Sequence, residues 1–186
     1  MALNKGDHKL GEIEITQENI EFSNQYATLY NDDVIFPNGS NGKYLRFVWK
    51  APYGVMIFAS TNDGSIVLIK TYRHENRAWS LEVPKGFGEV DLSPLECAQK
   101  ELKEETGLTA NKWQLFKTLN EKSYPTYIFL AKLDNLHSNL SKQENSEAIS
   151  EVKIIPKRSL PELLHNELVF DPITLFFISY SMLTDE

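Results

Sequence analysis

Cysteine is nearly absent from this chain: Cys97 stands alone, so no disulfide can close within it and cross-linking is excluded as a source of stability. The histidines are few and scattered, at His8, His74, His137 and His165, without the spacing that a zinc site of His and Cys ligands requires. Long apolar runs are missing too. Nothing approaches the roughly 20 residues that cross a bilayer, and the stretch from Met1 to Leu10 lacks the apolar core of a signal peptide. These absences predict a soluble, cytoplasmic protein with no membrane contact. There is no dense run of Lys or Arg either, and the formal net charge is −7. A charge of that sign repels nucleic acid, so no DNA or RNA partner is expected. It also works against small phosphorylated substrates, unless a metal ion or a few placed arginines cancel it locally.

What is present suits an ordinary globular protein: 41% hydrophobic and 24% charged residues over a length of 186, enough for one domain with a substantial core. Segments rich in Ile, Val, Phe, Tyr and Trp predict strands at Glu12–Thr16, Ile20–Tyr30, Tyr44–Trp49, Val55–Ser60, Ile66–Tyr72 and Trp79–Val83. Asp63-Gly64, between two apolar runs, is a hairpin signal because both residues tolerate positive φ. A helix is predicted from a Ser93 cap to Thr106, with Pro94 in the first turn, Glu96 completing a capping box and Gly107 as the stop. Strands follow at Trp113–Leu119, Tyr127–Leu133 and Glu151–Ile155, with a polar loop from Asn135 to Ser146 between the last two. Two helices, Leu160–Asn166 and Pro172–Leu183 with Asp171 as N-cap, close the chain. Strands, helix, strands, helices, without regular alternation, predict an α/β fold of the α+β type: a mixed β-sheet between helices. Residues 1–45 are expected to form an N-terminal antiparallel β extension on a main domain of residues 46–186.

The helix after Ser93 carries the chemistry. Leu95, Ala98 and Leu102 recur at helical spacing and predict its buried face. Glu101, Glu104 and Glu105, three and four residues apart, cluster on a neighbouring face. Like charges at that spacing cost about 0.2–0.5 kcal/mol per pair, and the negative end of the helix dipole adds to the cost. A hard divalent cation such as Mg²⁺ or Mn²⁺, which prefers oxygen ligands, would offset it. The competing interpretation is a solvated face supported by Glu96 with Lys100 and Lys100 with Glu104. The preceding loop, Pro84-Lys85-Gly86-Phe87-Gly88-Glu89, tips the balance, since its two glycines let backbone come close to a metal or phosphate.

Gly86 to Leu108 resembles the Nudix box: Gly, five residues, Glu, seven residues, Arg-Glu, an aliphatic, any residue, Glu-Glu, any residue, Gly, an aliphatic. Gly86, Glu101, Leu102, Glu104, Glu105, Gly107 and Leu108 match in place. Leu92 stands where the pattern has its first Glu, and Lys100 where it has Arg. In the family those two positions mainly support the loop and helix, and Glu89 and Glu96 are the candidates to replace the missing Glu. Before the box, Tyr72-Arg73 and Trp79-Ser80-Leu81-Glu82-Val83-Pro84-Lys85-Gly86 resemble the ADP-ribose and nucleoside diphosphate sugar pyrophosphatases of the family.

The resemblance implies metal-dependent cleavage of a nucleoside diphosphate linked to another group, with Mg²⁺ or Mn²⁺ as cofactor. It implies Glu101, Glu105 and the backbone carbonyl of Lys85 as metal ligands, Glu104 as a further ligand or a base acting through water, and substrate contacts at Arg73, Glu82 and Gly86. A later loop often supplies the general base; here Glu144, Glu147 and Glu151 are candidates, and Glu147 is favoured. The resembling enzymes are commonly homodimers that exchange N-terminal strands, so a homodimer is expected. Dinucleoside polyphosphates or nucleoside triphosphates are the alternative substrates, because the segment Ser123-Tyr124-Pro125-Thr126-Tyr127 is shorter than the Gly-rich stretch that marks the sugar group. A nucleotide sensor without turnover is the alternative of a different class, favoured by Leu92 and Lys100 and opposed by the three retained glutamates.

Overall fold

The computed structural model describes residues 11–120, 124–133 and 148–184. Four strands make an N-terminal antiparallel sheet: β1 (Glu14–Gln17), β2 (Ile20–Ser23), β3 (Ala27–Ile35) and β4 (Asn41–Trp49), with β3 paired to each of the other three. The run Ile20–Tyr30, expected as one strand, is broken because the Asn24 side chain accepts hydrogen bonds from the backbone of Tyr26 (2.8 Å) and Ala27 (2.9 Å) and turns the chain. β3 continues through the polar triplet Asn31-Asp32-Asp33, which the composition did not favour as strand. Asp32 is buried there beside Arg46 Nε at 2.7 Å. The expected division between residues 45 and 46 falls within β4, and the chain passes from one sheet to the other over residues 50–53.

The second sheet is mixed and has seven strands: β5 (Gly54–Thr61), β6 (Ile66–Arg73), β7 (Ala78–Glu82), β8 (Lys85–Phe87), β9 (Lys112–Leu119), β10 (Thr126–Leu133) and β11 (Ile149–Ile155). β5 and β10 run parallel. Its helices are α1 (Pro94–Thr106), α2 (Leu160–Leu163, after a 3₁₀ turn at Lys157–Ser159) and α3 (Pro172–Leu183). Alternation along the strands sorts the core into two layers. Val55, Ile57, Ala59, Phe129 and Ala131 face α1 and pack with Leu102 and Ala98. Phe58, Leu68, Leu81 and Ile128 face the other way, onto Leu160, Phe177 and Ile178 of α2 and α3. Fully burying one such Leu or Phe side chain stabilises the fold by about 1.5–3 kcal/mol. Among the described residues no helix is long and apolar enough to cross a membrane.

Two expectations about the helices are corrected. Leu95 sits exposed in the first turn of α1, where Cys97 takes the buried position. α2 ends at Leu163, not Asn166, because the bonds from the His165 and Asn166 amides reach back only three residues, to Glu162 and Leu163.

One departure from a regular sheet decides where function can sit. The β5–β6 hairpin closes through the Thr61 amide on the Ser65 carbonyl (2.9 Å), with only Gly64 left-handed (φ 78). Asp63 acts there through its side chain, on Ser65 N. The two strands then pair at Ser60 and Ile66 alone and diverge, β5 toward β8 and β10, β6 toward β7 and β11. The splay leaves an opening at the start of β5 and the end of β6.

Candidate active site

A cleft of about 670 Å³ occupies that opening, bounded by Gly54 to Met56 of β5, Thr71 to Arg73 of β6, Lys85 to Phe87 of β8, and Glu101 and Glu105 of α1. Trp49 and Tyr124 close its sides, and Ala148 and Ile149 border it at the start of β11.

The sequence builds α1 firmly enough to aim its glutamates. The Ser93 side chain accepts from Glu96 N while Glu96 accepts from Ser93 N, a complete capping box, and Gly107 (φ 71) ends the helix with its amide on the Lys103 carbonyl. Glu101 and Glu105 are one turn apart and both face the cleft, Glu105 nearly buried. The backbone of β8 meets them. Lys85 N–H donates to Glu105 Oε2 at 2.9 Å. At Gly86 an added Cβ would lie 2.0 Å from Glu101 Oε1, so only glycine lets the strand and that carboxylate come together.

β8 itself is a short strand the sequence did not reveal, because Lys85-Gly86-Phe87 carries no alternation and follows a proline. It pairs with β5 from Met56 to Gly54, and the Gly88 amide bonds the Tyr53 carbonyl at 2.7 Å. The Tyr53 hydroxyl donates toward the carbonyls of Leu92 (2.5 Å) and Glu89 (3.2 Å), pinning the loop before α1. Leu92 packs against the core beneath. Lys100 reaches across to Glu89 at 2.6 Å, so Glu89, and not Glu96, ties loop to helix. Glu96 is used by the cap.

Behind β8 lies a four-membered ion-pair cluster. Arg73 Nε and Nη2 hold the two oxygens of Glu82 at 2.8 and 2.5 Å, and Lys85 Nζ sits 2.6 Å from Glu82 and 3.0 Å from Asp171. Glu82 is 2% exposed. Burial alone would push its carboxyl up, but hydrogen bonds from Arg73 and Lys85 outweigh it and hold the group at about 2. The Glu82 hydrogen bonds in turn raise Arg73 above its usual value. Cys97 is pushed up by burial, with Glu101 adding to the effect, which suits an inert thiol and not a nucleophile.

Of the residues singled out in the sequence, the cleft brings together Arg73, Lys85, Gly86, Glu101 and Glu105, with Glu82 directly behind them. Glu104 is not among the cleft residues. It lines a separate depression with Lys100, Lys103 and Trp113, 3.8 Å from Lys100 Nζ. Glu151 lies exposed on β11, 3.5 Å from Lys153. Glu144 and Glu147 fall outside the described residues. Trp49, Tyr53 and Asp171 are additions the sequence did not single out for the site.

Among the described residues no three His, Cys, Asp or Glu side chains converge to hold a metal unaided. The donor set nevertheless fits a magnesium-like ion. Such an ion uses one or two carboxylates and completes its shell with water and substrate phosphates, and Glu101 and Glu105 present two carboxylates at an open cleft.

Comparison with known proteins bears on the family and the fold. A family model described as NUDIX domain matches residues 50–173. The chain is 30% identical over 182 residues, 95% of each chain, to an ADP-ribose pyrophosphatase of Bacillus subtilis (strain 168). It is 28% identical over 173 residues, 88% of this chain and 89% of the other, to the methanol dehydrogenase activator of Bacillus methanolicus. A crystal structure of an ADP compounds hydrolase superposes with a TM-score of 0.69 over 94% of this chain and 96% of that one, at 22% identity, which speaks for the fold.

Proposed function

The chain belongs to the Nudix family of pyrophosphohydrolases, and from that membership we propose that it hydrolyses the diphosphate of ADP-ribose or a closely related nucleoside diphosphate sugar, releasing a nucleoside monophosphate and a sugar phosphate. The observation that carries the proposal is the pairing of Glu101 and Glu105 beside the Cβ-free backbone of Gly86, in a cleft walled by Arg73 and by aromatic rings. One relative that agrees along 95% of its length is an ADP-ribose pyrophosphatase.

In this reading Glu101 and Glu105, with the Lys85 carbonyl, hold Mg²⁺ or Mn²⁺. A bound ion of this kind neutralises diphosphate oxygens and lowers the pKa of a bound water. The rest is the protein's own work. The Lys85 amide fixes the orientation of Glu105, and Gly86 leaves room for Glu101. Arg73, held by Glu82 through Nε and Nη2, presents positive charge to the cleft in a protein that otherwise repels phosphate. Trp49 and Phe87, with ring centroids 4.9 Å apart, give the cleft an aromatic wall suited to the flat face of a base. Glu147 is the proposed general base, a role supported by its sequence neighbour Ala148 lining the cleft. Glu104 would then act only at the edge of the metal site, since its side chain faces Lys100.

The Glu89–Lys100 tie bears on the sensor alternative. The residues that depart from the box pattern, Leu92 and Lys100, still leave the loop anchored to α1, so the altered box retains the support that catalysis requires. We also propose a homodimer. Phe22, Leu45 and Phe47 are 58%, 63% and 55% exposed on one face of the N-terminal sheet, an apolar surface that a second copy of the chain would cover. Trp49 carries that face to the cleft.

The test of substrate is nucleotide release from ADP-ribose, other nucleotide sugars, dinucleoside polyphosphates and nucleoside triphosphates, each with Mg²⁺ or Mn²⁺. The highest kcat/KM is expected for ADP-ribose or another nucleotide sugar. Preference for a polyphosphate would move the assignment to that branch of the family. Nucleotide binding without any turnover would favour the sensor.

A further inference from the structure

We infer that Asp171, the N-cap of α3, is a positioning residue for the active site, holding the Lys85–Gly86 backbone in register with Glu101 and Glu105 through the Lys85 ammonium. This rests on the assignment of those two glutamates as the metal-holding pair.

The Asp171 carboxylate does two jobs. Its Oδ2 accepts from Thr174 N and from Thr174 Oγ1, each at 2.8 Å, which is the capping interaction. Its Oδ1 accepts from Lys85 Nζ at 3.0 Å, across 86 positions of sequence. Capping needs one oxygen, and Asn or Ser caps about as well as Asp. Beyond the favourable interaction of an anion with the helix dipole, the charge serves the contact with Lys85.

The consequence lies in what Lys85 touches on its other side. Its own amide donates to Glu105 Oε2, and the next residue is the glycine against which the Glu101 carboxylate rests. α3 also grips the connection two residues earlier, where the buried Thr174 hydroxyl accepts from Val83 N at 3.0 Å. The backbone from Val83 to Gly86 is therefore held from behind by α3 and meets both carboxylates in front. The charges balance: Arg73 and Lys85 against Glu82 and Asp171. Removing Asp171 leaves Glu82 alone to serve two cations, and Lys85 loses the contact that draws it toward α3.

A mere stability role predicts something different. The Lys85 side chain is 22% exposed and that of Asp171 16%, so losing this part-buried pair lowers the melting temperature, but through stability alone it would leave kcat of the folded variant unchanged and exchange at Lys85 in line with the rest of the fold. The test is Asp171→Asn, which keeps the cap and removes the charge, compared with Lys85→Met, which leaves the cap untouched and carries the experiment if the first variant does not fold. Three quantities are read: melting temperature, kcat and KM for the diphosphate that the wild type turns over, and amide hydrogen exchange at Lys85.

The expected result is kcat lowered about tenfold or more at temperatures where the variants are fully folded, because small misplacements of reacting groups are costly, while KM moves much less. Exchange at the Lys85 amide accelerates about tenfold while the β5 amides stay protected. The double variant is no worse than either single one, since both break the same contact. Unchanged kcat with unchanged Lys85 exchange overturns the inference, as does acceleration spread evenly through the fold. If the wild type cleaves no diphosphate, the functional assignment fails, and Lys85 exchange still decides whether Asp171 fixes this backbone.

Discussion

Gly86→Ala separates function from stability. Gly86 does not use a left-handed φ, so alanine meets no backbone penalty there. The new methyl would, however, lie 2.0 Å from Glu101 Oε1 and 2.1 Å from Cδ. Restoring an ordinary contact of 3.4 Å moves the carboxylate by about 1.4 Å. That carboxylate is the end of a flexible, half-buried side chain, and the rotamer strain of turning it aside is about 0.5–1.5 kcal/mol. Melting should stay close to wild type. The chemistry tolerates less: displacement of about 1 Å at a reacting site can cost about 100-fold, or about 2.7 kcal/mol of barrier. Gly88→Ala is the control. Its methyl would lie 2.4 Å from the ring of buried Tyr53, which has nowhere to turn, and overpacking of this kind costs about 1–3 kcal/mol of stability. Nucleotide release and thermal melting of both variants, side by side, decide the matter. Gly86→Ala with wild-type kcat, or with a melting temperature as low as that of Gly88→Ala, would refute the placement of Glu101.

Other consequences follow from the same contacts. Glu82 titrates near 2 in the folded chain against 4.5 ordinarily; because its folded value is depressed, the stability it contributes is fully present above 4.5 and is lost as pH falls from there through about 2. Melting followed from pH 6 to pH 2 should show a shallower acid slope in Glu82→Gln, and identical slopes would count against the Arg73–Glu82–Lys85 cluster. Phe47→Asp should halve the mass seen by light scattering from about twice 21.3 kDa to one chain; a wild type already at one chain removes the dimer. Ser93→Ala deletes one half of the capping box and should lower stability by about 1 kcal/mol in denaturant unfolding, and no change would show that the cap is not formed.

The parts of the site that were legible in sequence are those written in local spacing. Ser93, Glu96 and Gly107 mark the ends of α1 by residue type alone, and the i, i+4 relation of Glu101 and Glu105 places both on one face. Glu104 shows the limit of spacing: it is as close in sequence to Glu101, yet it faces Lys100 and the neighbouring depression. β8 was missed because three residues beside a proline carry no periodicity; its pairing partner, β5, lies some thirty positions earlier. The Lys85–Asp171 contact spans nearly half the chain and leaves no local mark at either end, where Asp171 reads only as a cap. The break at Asn24 was readable in principle, since Asn takes turns through its own side chain. The surrounding Ile, Phe, Tyr and Leu masked it. Leu92 departs from the box pattern without loss of support, because Tyr53, Glu89 and Lys100 hold the same loop, contacts that no local spacing announces.

Glu101 and Glu105 are proposed to hold the metal on which diphosphate hydrolysis depends, and the most direct measurement is AMP release from ADP-ribose as Mg²⁺ is titrated into wild type and Glu105→Gln together. Release should rise with Mg²⁺ and stop with chelator in the wild type, with Glu105→Gln folded and nearly inactive at every metal concentration. Turnover indifferent to chelator, or a Glu105→Gln variant as active as the wild type, would contradict the assignment.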